Sequence, residues 1–461
     1  CIEWCFPHHH RPTTLLPADY RLVENTDGSA TVWVGETERG LGLRGVIGIT
    51  LRPGRSYIET TYYLGNSNSI TRNFLFWANV AISADENFRT FWPPEQEIGT
   101  FHNNSEYIHW PIADGTYRGV DYRNVDLTWW KNHPTPISFF FWQGKKGFIG
   151  GYDYAKKAGT LHVGDIYHNR TSKLWQFGPG QEGLNARKKL SDNAHDYVEL
   201  MTGTYSNNQP DYSWFSPYSV KEAINYWSPV RDLEIVKNAT IDASVTLQMR
   251  NDKTVFYGFN TTQLYKDATI SLKYGDETLV TKKITIDPAT PYTDTYKSKK
   301  TLDEYQLYVE LQDATGQTLI SYKPYRPQKP TLPERQYYPG NPKDIESVED
   351  LYLAGRFVEQ FSRTGRTADE YYMEALQKSP DDYRVNIAMG IRRLSQWRYL
   401  EAEEFLQKAY DKLQVQFIQP KEGELFYYLA LAQKGLGKYE EAYTNFYRAT
   451  WYYEWFSPAY Y

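Results

Sequence analysis

All nine histidines precede residue 196: His8, His9, His10, His102, His109, His133, His162, His168 and His195. Histidine is the side chain that titrates nearest neutral pH, so acid–base chemistry in this chain belongs to its first half. Three strand-like segments there carry the candidates. Alternation in Gly159–Asp165 places His162 and Gly164 on one face, and Lys173–Gly178 places Trp175 on a second strand. In Tyr197–Gly203, Glu199 shares a face with Tyr197 and Met201, while Val198 and Leu200 point the other way. A carboxylate inside a strand is solvated, paired or lining a cleft, because burying it alone is too costly. The loop Asn208-Gln209-Pro210-Asp211-Tyr212-Ser213-Trp214 adds an amide, a second carboxylate and an indole.

Two chemistries fit these residues. Glycoside cleavage needs two carboxyl groups flanking the bond, one protonated and one ionised. Glu199 among Tyr197, Trp175 and Trp214 is expected to hold its proton through desolvation and act as general acid, with Asp211 as base or nucleophile. Glu3 and Glu182 are the replacements for Asp211. Epimerisation at an anomeric carbon needs one acid and one base, which His162 and Glu199 would supply. Each residue also has a plain structural reading. His162 can hydrogen-bond within its sheet, Asp211 sits in a Pro-Asp turn, and Trp110, Trp175 and Trp214 are either core or sugar platforms. Cys1 and Cys5, beside the His8–His10 run, lie outside structural zinc spacing, so no metal and no cofactor is expected.

Composition narrows the partners. The 461 residues include 41 Tyr, 21 Phe and 14 Trp. Rings with a flat apolar face and a polar edge complement sugars, although strands favour them too. The net charge of −5 argues against nucleic acid. No apolar run approaches the ~18 residues of a membrane-spanning helix. No phosphate loop, GxGxxG, GxSxG or HExxH occurs, which removes support for nucleotide-dependent and serine-hydrolase readings.

The chain divides into four. Residues 1–228 hold eleven of the 14 Trp and read as β-rich, with turn signals at Asp27-Gly28, Asp114-Gly115 and Gly150-Gly151 and no sustained helical period. Residues 229–325 show six short alternating strands without His or Cys, predicting a small immunoglobulin-like sandwich. Residues 326–345 are a linker, within a proline series running from Pro324 to Pro342. From 346 to 461 the period is helical. Ala375 and Ala409 are 34 residues apart, the tetratricopeptide repeat length, and a second unit around Ala430, Gly435, Ala442 and Ala449 follows at 40. These repeats predict a protein partner, self-association through the aromatic end Trp451–Phe456, or packing on the front domain.

The segments YVELMTGTYSNNQPDYSWFSPY (197–218), GGYDYAKKAGTLHVGD (150–165), GTYRGVDY (115–122) and IEWCFPHHHRPTT (2–14) resemble motifs of a bacterial family of unknown-function domains joined to tetratricopeptide repeats. The resemblance covers nearly the whole chain. It implies a galactose-mutarotase-type supersandwich of two large antiparallel sheets, incomplete at its N-terminal side; the need of a solenoid for capping separately predicts a continuation of the repeats or a docking surface at the C-terminal end. Sugar-active supersandwiches set histidines and acids on the concave sheet, which implies His162 and Glu199 first and Asp211 third. Trp175, Trp214, Tyr197, Gln209, His168, His102 and Trp110 are then the substrate-binding candidates. The chain departs from the family at Cys5, where Asn is expected, and at Asp165–His168, where relatives carry two histidines. The expected activity is that of a carbohydrate-active enzyme, first a glycoside hydrolase, with a mutarotase or epimerase and a non-catalytic glycan-binding scaffold as alternatives. Compartment is not encoded, and a periplasmic or secreted bacterial setting is favoured.

Overall fold

The structure, a computed structural model, describes residues 2–5, 13, 16–101, 106–169, 171–192, 195–204, 212–335, 337–360 and 365–461. Two eight-stranded antiparallel sheets form the front of the chain. The first runs, in spatial order, Ile2–Cys5, Arg72–Ser83, Tyr197–Gly203, Thr171–Gln176, Ile137–Phe141, Ile98–Phe101 and Tyr107–His109, with Ser213–Phe215 also paired to Arg72–Ser83. The second runs Asp19–Glu24, Ala30–Glu38, Leu43–Leu51, Ile58–Asn66, Ser219–Arg231, Ala158–Gly164, Phe148–Asp153 and Phe88–Phe91. Alternate residues of each strand meet between the layers. Leu174, Val198, Leu200, Phe139 and Phe141 of the first sheet share a buried core with Ile149 and Trp227 of the second. Burial of such side chains is worth ~1.5–3 kcal/mol each and fixes the register, since a one-residue slip would send all of them outward. This is the supersandwich layout that the motifs imply.

Two local expectations fail here, for physical reasons. Gly150-Gly151 is not a turn but the middle of the Phe148–Asp153 strand. A Cβ at either position would stand 2.1 Å from the ring of Phe91 or Phe88, so the glycines make room for aromatics of the neighbouring strand. The front domain also contains a helix, α1 (Gln181–Leu190). It carries Leu, Ala, Arg and Lys, which are good helix formers, but it is polar nearly all round and buries little beyond Gly183, so it leaves no apolar stripe to read.

The small sandwich has two four-stranded sheets, within 238–322. Val245, Leu247, Val255, Tyr257, Ile270, Leu272, Val309 and Leu311 fill its core. The edge strand Tyr292–Lys297 escapes sequence reading because its residues, YTDTYK, are largely polar and mostly exposed. Arg55 pairs with Asp242 at 2.7 Å and ties this unit to the front domain. The proline-rich segment then crosses back over the front domain. Glu97 accepts hydrogen bonds from the Tyr325 hydroxyl at 2.7 Å and from the Gln328 and Lys329 amides, and these contacts hold its carboxyl below its ordinary pKa against the opposing effect of burial.

Seven helices follow: α2 (Val348–Gln360), α3 (Ala368–Lys378), α4 (Tyr383–Ser395), α5 (Tyr399–Gln414), α6 (Gly423–Gly435), α7 (Tyr439–Ala449) and α8 (Tyr453–Tyr460). They pack as successive antiparallel pairs, the tetratricopeptide arrangement. Gly390 shows why small residues recur at the crossings, since a Cβ there would lie 2.4 Å from Leu406. The solenoid docks on the front domain. Ile70 is buried in the core of α4–α6, the Tyr427 hydroxyl donates to the Ser69 carbonyl at 2.7 Å, and the Tyr428 hydroxyl meets Thr71 Oγ1 at 3.0 Å.

Candidate functional site

The face of the first sheet that points away from the second carries the polar residues of interest. Antiparallel pairing arranges them in rows. One row is Asn79–Met201–Lys173–Phe140–Thr100, and the next is Ala81–Glu199–Trp175–Ser138. Lys173 and Glu199 are thus diagonal neighbours on adjacent strands, a spacing of ~7–8 Å between backbones that long side chains span. Asn79 Nδ2 donates to Glu199 Oε2 at 3.4 Å. Lys173 is fully buried, with Nζ 4.9 Å from the Phe140 ring centre and 5.4 Å from that of Trp175. Burial pushes the Lys173 ammonium down to about 7, and the Glu199 charge opposes that shift. Tyr197 is pushed up to about 12 by burial and by the same carboxylate. Trp175 and Tyr197 both pack on Phe177, at 5.7 and 5.5 Å. Beside this set Cys5, Leu75, Trp77, Phe140 and Tyr212 form a buried apolar patch. The hydroxyls of Ser138 and Thr100 are buried on the same face without a hydrogen-bond partner among the described residues.

The structure therefore brings Glu199, Trp175 and Tyr197 together. Lys173, Asn79, Ser138 and Thr100 join them without having been singled out from the sequence. A signal for Lys173 existed, because it stands two residues from Trp175 on one strand face and that strand pairs with the one bearing Glu199.

His162 lies elsewhere. It is on the second sheet, 1% exposed, with Nε2 2.6 Å from Asn225 Oδ1. Asn225 Nδ2 donates in turn to the Tyr62 hydroxyl and to Asn169 Oδ1. This chain of donors assigns the proton to His162 Nε2. Burial drives its pKa down to about 4, so the imidazole is neutral. Its ring packs 4.7 Å from Trp227.

His168 and Trp214 line a separate cleft of 610 Å³ between the sheets, with Tyr62, Tyr167, Tyr212 and Glu222. Trp214 is 37% exposed there, and His168 Nδ1 is 3.7 Å from Asp165. Trp110 is stacked on Trp92 at 3.7 Å and buried. Glu182 is exposed in the first turn of α1, and Glu3 is buried on the outer face opposite Trp77. Asp211, Gln209, His102, Cys1 and the His8–His10 run lie outside the described residues. Among the described residues no cluster of three His, Cys, Asp or Glu is placed to hold a metal, and no helix is long and apolar enough to cross a membrane.

Comparison with known proteins gives two family matches. Residues 1–230 match the model of a domain of unknown function, DUF5107, and residues 238–322 match that of the YphG-like protein, second domain. Among solved structures, a TPR-domain containing protein from Parabacteroides distasonis is 15% identical with a TM-score of 0.44, covering 96% of this chain and 61% of that one. The chain thus spans about three fifths of that protein's length. A putative aldose 1-epimerase from Klebsiella pneumoniae (12% identity, TM-score 0.33) covers 47% of this chain and 54% of its own. A galactose mutarotase related enzyme from Lactobacillus acidophilus (11%, TM-score 0.33) covers 47% and 72%. Residues 1–230 are accordingly a DUF5107 domain, continued by a YphG-like second domain and a tetratricopeptide solenoid.

Proposed function

We propose that the outer face of the first sheet is the acid–base site of a carbohydrate-active enzyme working at an anomeric carbon, with epimerase-type chemistry. The observation that carries this reading is Lys173, buried and pushed down to about 7, beside Glu199 among Trp175, Trp77 and Tyr197. A lysine near neutrality exchanges a proton readily in both directions, which is what ring opening and closing requires. Glu199 takes the proton of the anomeric hydroxyl while the Lys173 ammonium donates to the ring oxygen. The bond between the anomeric carbon and the ring oxygen breaks as the carbonyl forms. After rotation the sequence runs backward and closes the other anomer. Asn79 orients the carboxylate, and the unpartnered Ser138 and Thr100 hydroxyls offer hydrogen bonds to a polyol.

Hydrolysis is the second reading, and it needs a second carboxyl. Glu3 is two strands and four residues away from Glu199 in register, about 16 Å between backbones at ordinary strand spacing, beyond the ~5–9.5 Å of glycosidases. That role would fall to Asp211. We read the repeats as a clamp that holds its own Ser69–Asn73 segment in the groove, so that a protein partner would bind elsewhere on the solenoid. The test is anomer exchange of a monosaccharide panel followed by NMR, beside aryl glycosides. Glu199→Gln should lose exchange while keeping sugar affinity. Exchange at the wild-type rate in that variant, or aryl glycoside turnover without anomer exchange, refutes the epimerase reading.

A further inference from the structure

A second hollow lies where the front domain, the small sandwich and the proline-rich segment meet. It measures 390 Å³, within the range of small-molecule sites, and shares no residue with the outer-face site. Its apolar walls include the stacked pair Trp92–Trp110, Pro111 and Tyr322, and Pro324 and Tyr325 of the crossing segment border it. That segment is pinned by Glu97, so the hollow has a fixed edge.

Lys237 enters this apolar setting. Its ammonium makes no ion pair within 4 Å among the described residues, and burial and the nearby Arg89 both lower its pKa. Arg89 is already committed to Asp126 at 2.9 Å and to Thr128. Glu304 is the one carboxylate on the wall; it forms no ion pair with Lys237, and its charge only partly offsets the lowering. Gln248 donates through Nε2 to Thr246 Oγ1, which leaves its carbonyl oxygen as an acceptor on the wall. Lys237 is half-buried on this wall, and an ammonium there with no carboxylate within 4 Å among the described residues favours an anion from outside.

We infer that this hollow binds a small sugar acid, its carboxylate on Lys237, its hydroxyls toward Gln248 and its ring between the aromatic and prolyl walls. A single lysine beside a glutamate suits one negative charge. A phosphate dianion would carry an excess charge toward Glu304, and a neutral sugar would leave the ammonium unmatched.

Isothermal titration of the full chain with glucuronate, glucose and inorganic phosphate tests this. Glucuronate should bind at this site, glucose at least about tenfold more weakly there, and phosphate no better than glucose. Lys237→Met and Lys237→Gln should each weaken glucuronate about tenfold or more. Removing an ammonium that makes no ion pair should leave the melting temperature close to the wild-type value, and the comparison of the three ligands on the wild-type chain needs no variant. Glu199→Gln should leave glucuronate binding at Lys237 unchanged, which separates failure here from failure of the epimerase reading. Undetectable glucuronate binding, equal affinity for glucose or phosphate, or unchanged affinity in a folded Lys237 variant overturns the inference.

Discussion

The two sheets of the front domain each bury a polar cluster, and the clusters behave in opposite ways. On the second sheet His162, Asn225, Tyr62 and Asn169 form a chain of neutral hydrogen bonds, and burial keeps the imidazole uncharged. On the first sheet Lys173 is as deeply buried but faces a carboxylate, and its proton is loosely held at neutral pH. A buried polar group that stays neutral serves structure, even where, as at His162 Nδ1 and Asn169 Nδ2, an atom has no partner among the described residues. One held near its titration point between an opposite charge and aromatic rings is prepared for proton transfer. The histidine, which looks the more chemical residue in the sequence, is on the structural side of this contrast.

Substitutions break the contrast most sharply. Lys173→Met should lower anomer exchange by about 10²–10⁴-fold, the usual worth of a positioned acid–base group. The same variant should change denaturant stability little, since the relief of a buried ammonium is offset by leaving Glu199 without its cation. His162→Ala should do the reverse. It should lose about 2–4 kcal/mol of stability by stranding Asn225, with exchange per folded molecule unchanged. A His162 variant that folds normally yet loses exchange would invert the assignment.

Acid separates the clusters again. His162 has a folded pKa of about 4 and an ordinary value of 6.5, so between these the unfolded chain binds the extra proton. Its stabilisation is therefore complete above pH 6.5 and is lost as pH falls toward 4, by roughly 3 kcal/mol. His133, also driven down to about 4 by burial, adds to the same loss. Lys173 acts in the other direction along the scale, because its folded value of about 7 lies below the unfolded 10.5, so its penalty eases as pH rises from 7 to 10.5. Melting curves from pH 4 to 10 should show the acid limb flattened by His162→Ala and the alkaline rise removed by Lys173→Met.

The docking of the repeats has the smallest expected effect on exchange. Ile70→Ala should cost about 2–3 kcal/mol, because the side chain fills the core of α4–α6. It should leave anomer exchange intact, as Ile70 lies on neither polar cluster.

Much of this was legible in the residues themselves. Alternation in Tyr197–Gly203 gives the faces of Glu199 and Val198 correctly, and the 34-residue spacing of Ala375 and Ala409 announces the solenoid. What alternation does not carry is which strands become neighbours. Lys173 and Glu199 are 26 positions apart and meet only through sheet order, while His162 and Glu199 look adjacent in chemistry and fall on different sheets. Gly150-Gly151 misleads for the same reason, since the rings that require glycine come from the distant Phe88–Phe91 strand.

The central claim is that Lys173 shares its proton near neutrality beside the Glu199 carboxylate. Titration of the chain carrying ¹³C-labelled lysine, followed at the side-chain methylene by NMR, tests it most directly. One lysine resonance should titrate with a midpoint close to 7 and vanish in Lys173→Met. If that resonance instead titrates near the ordinary lysine value, the acid–base account of this face is contradicted.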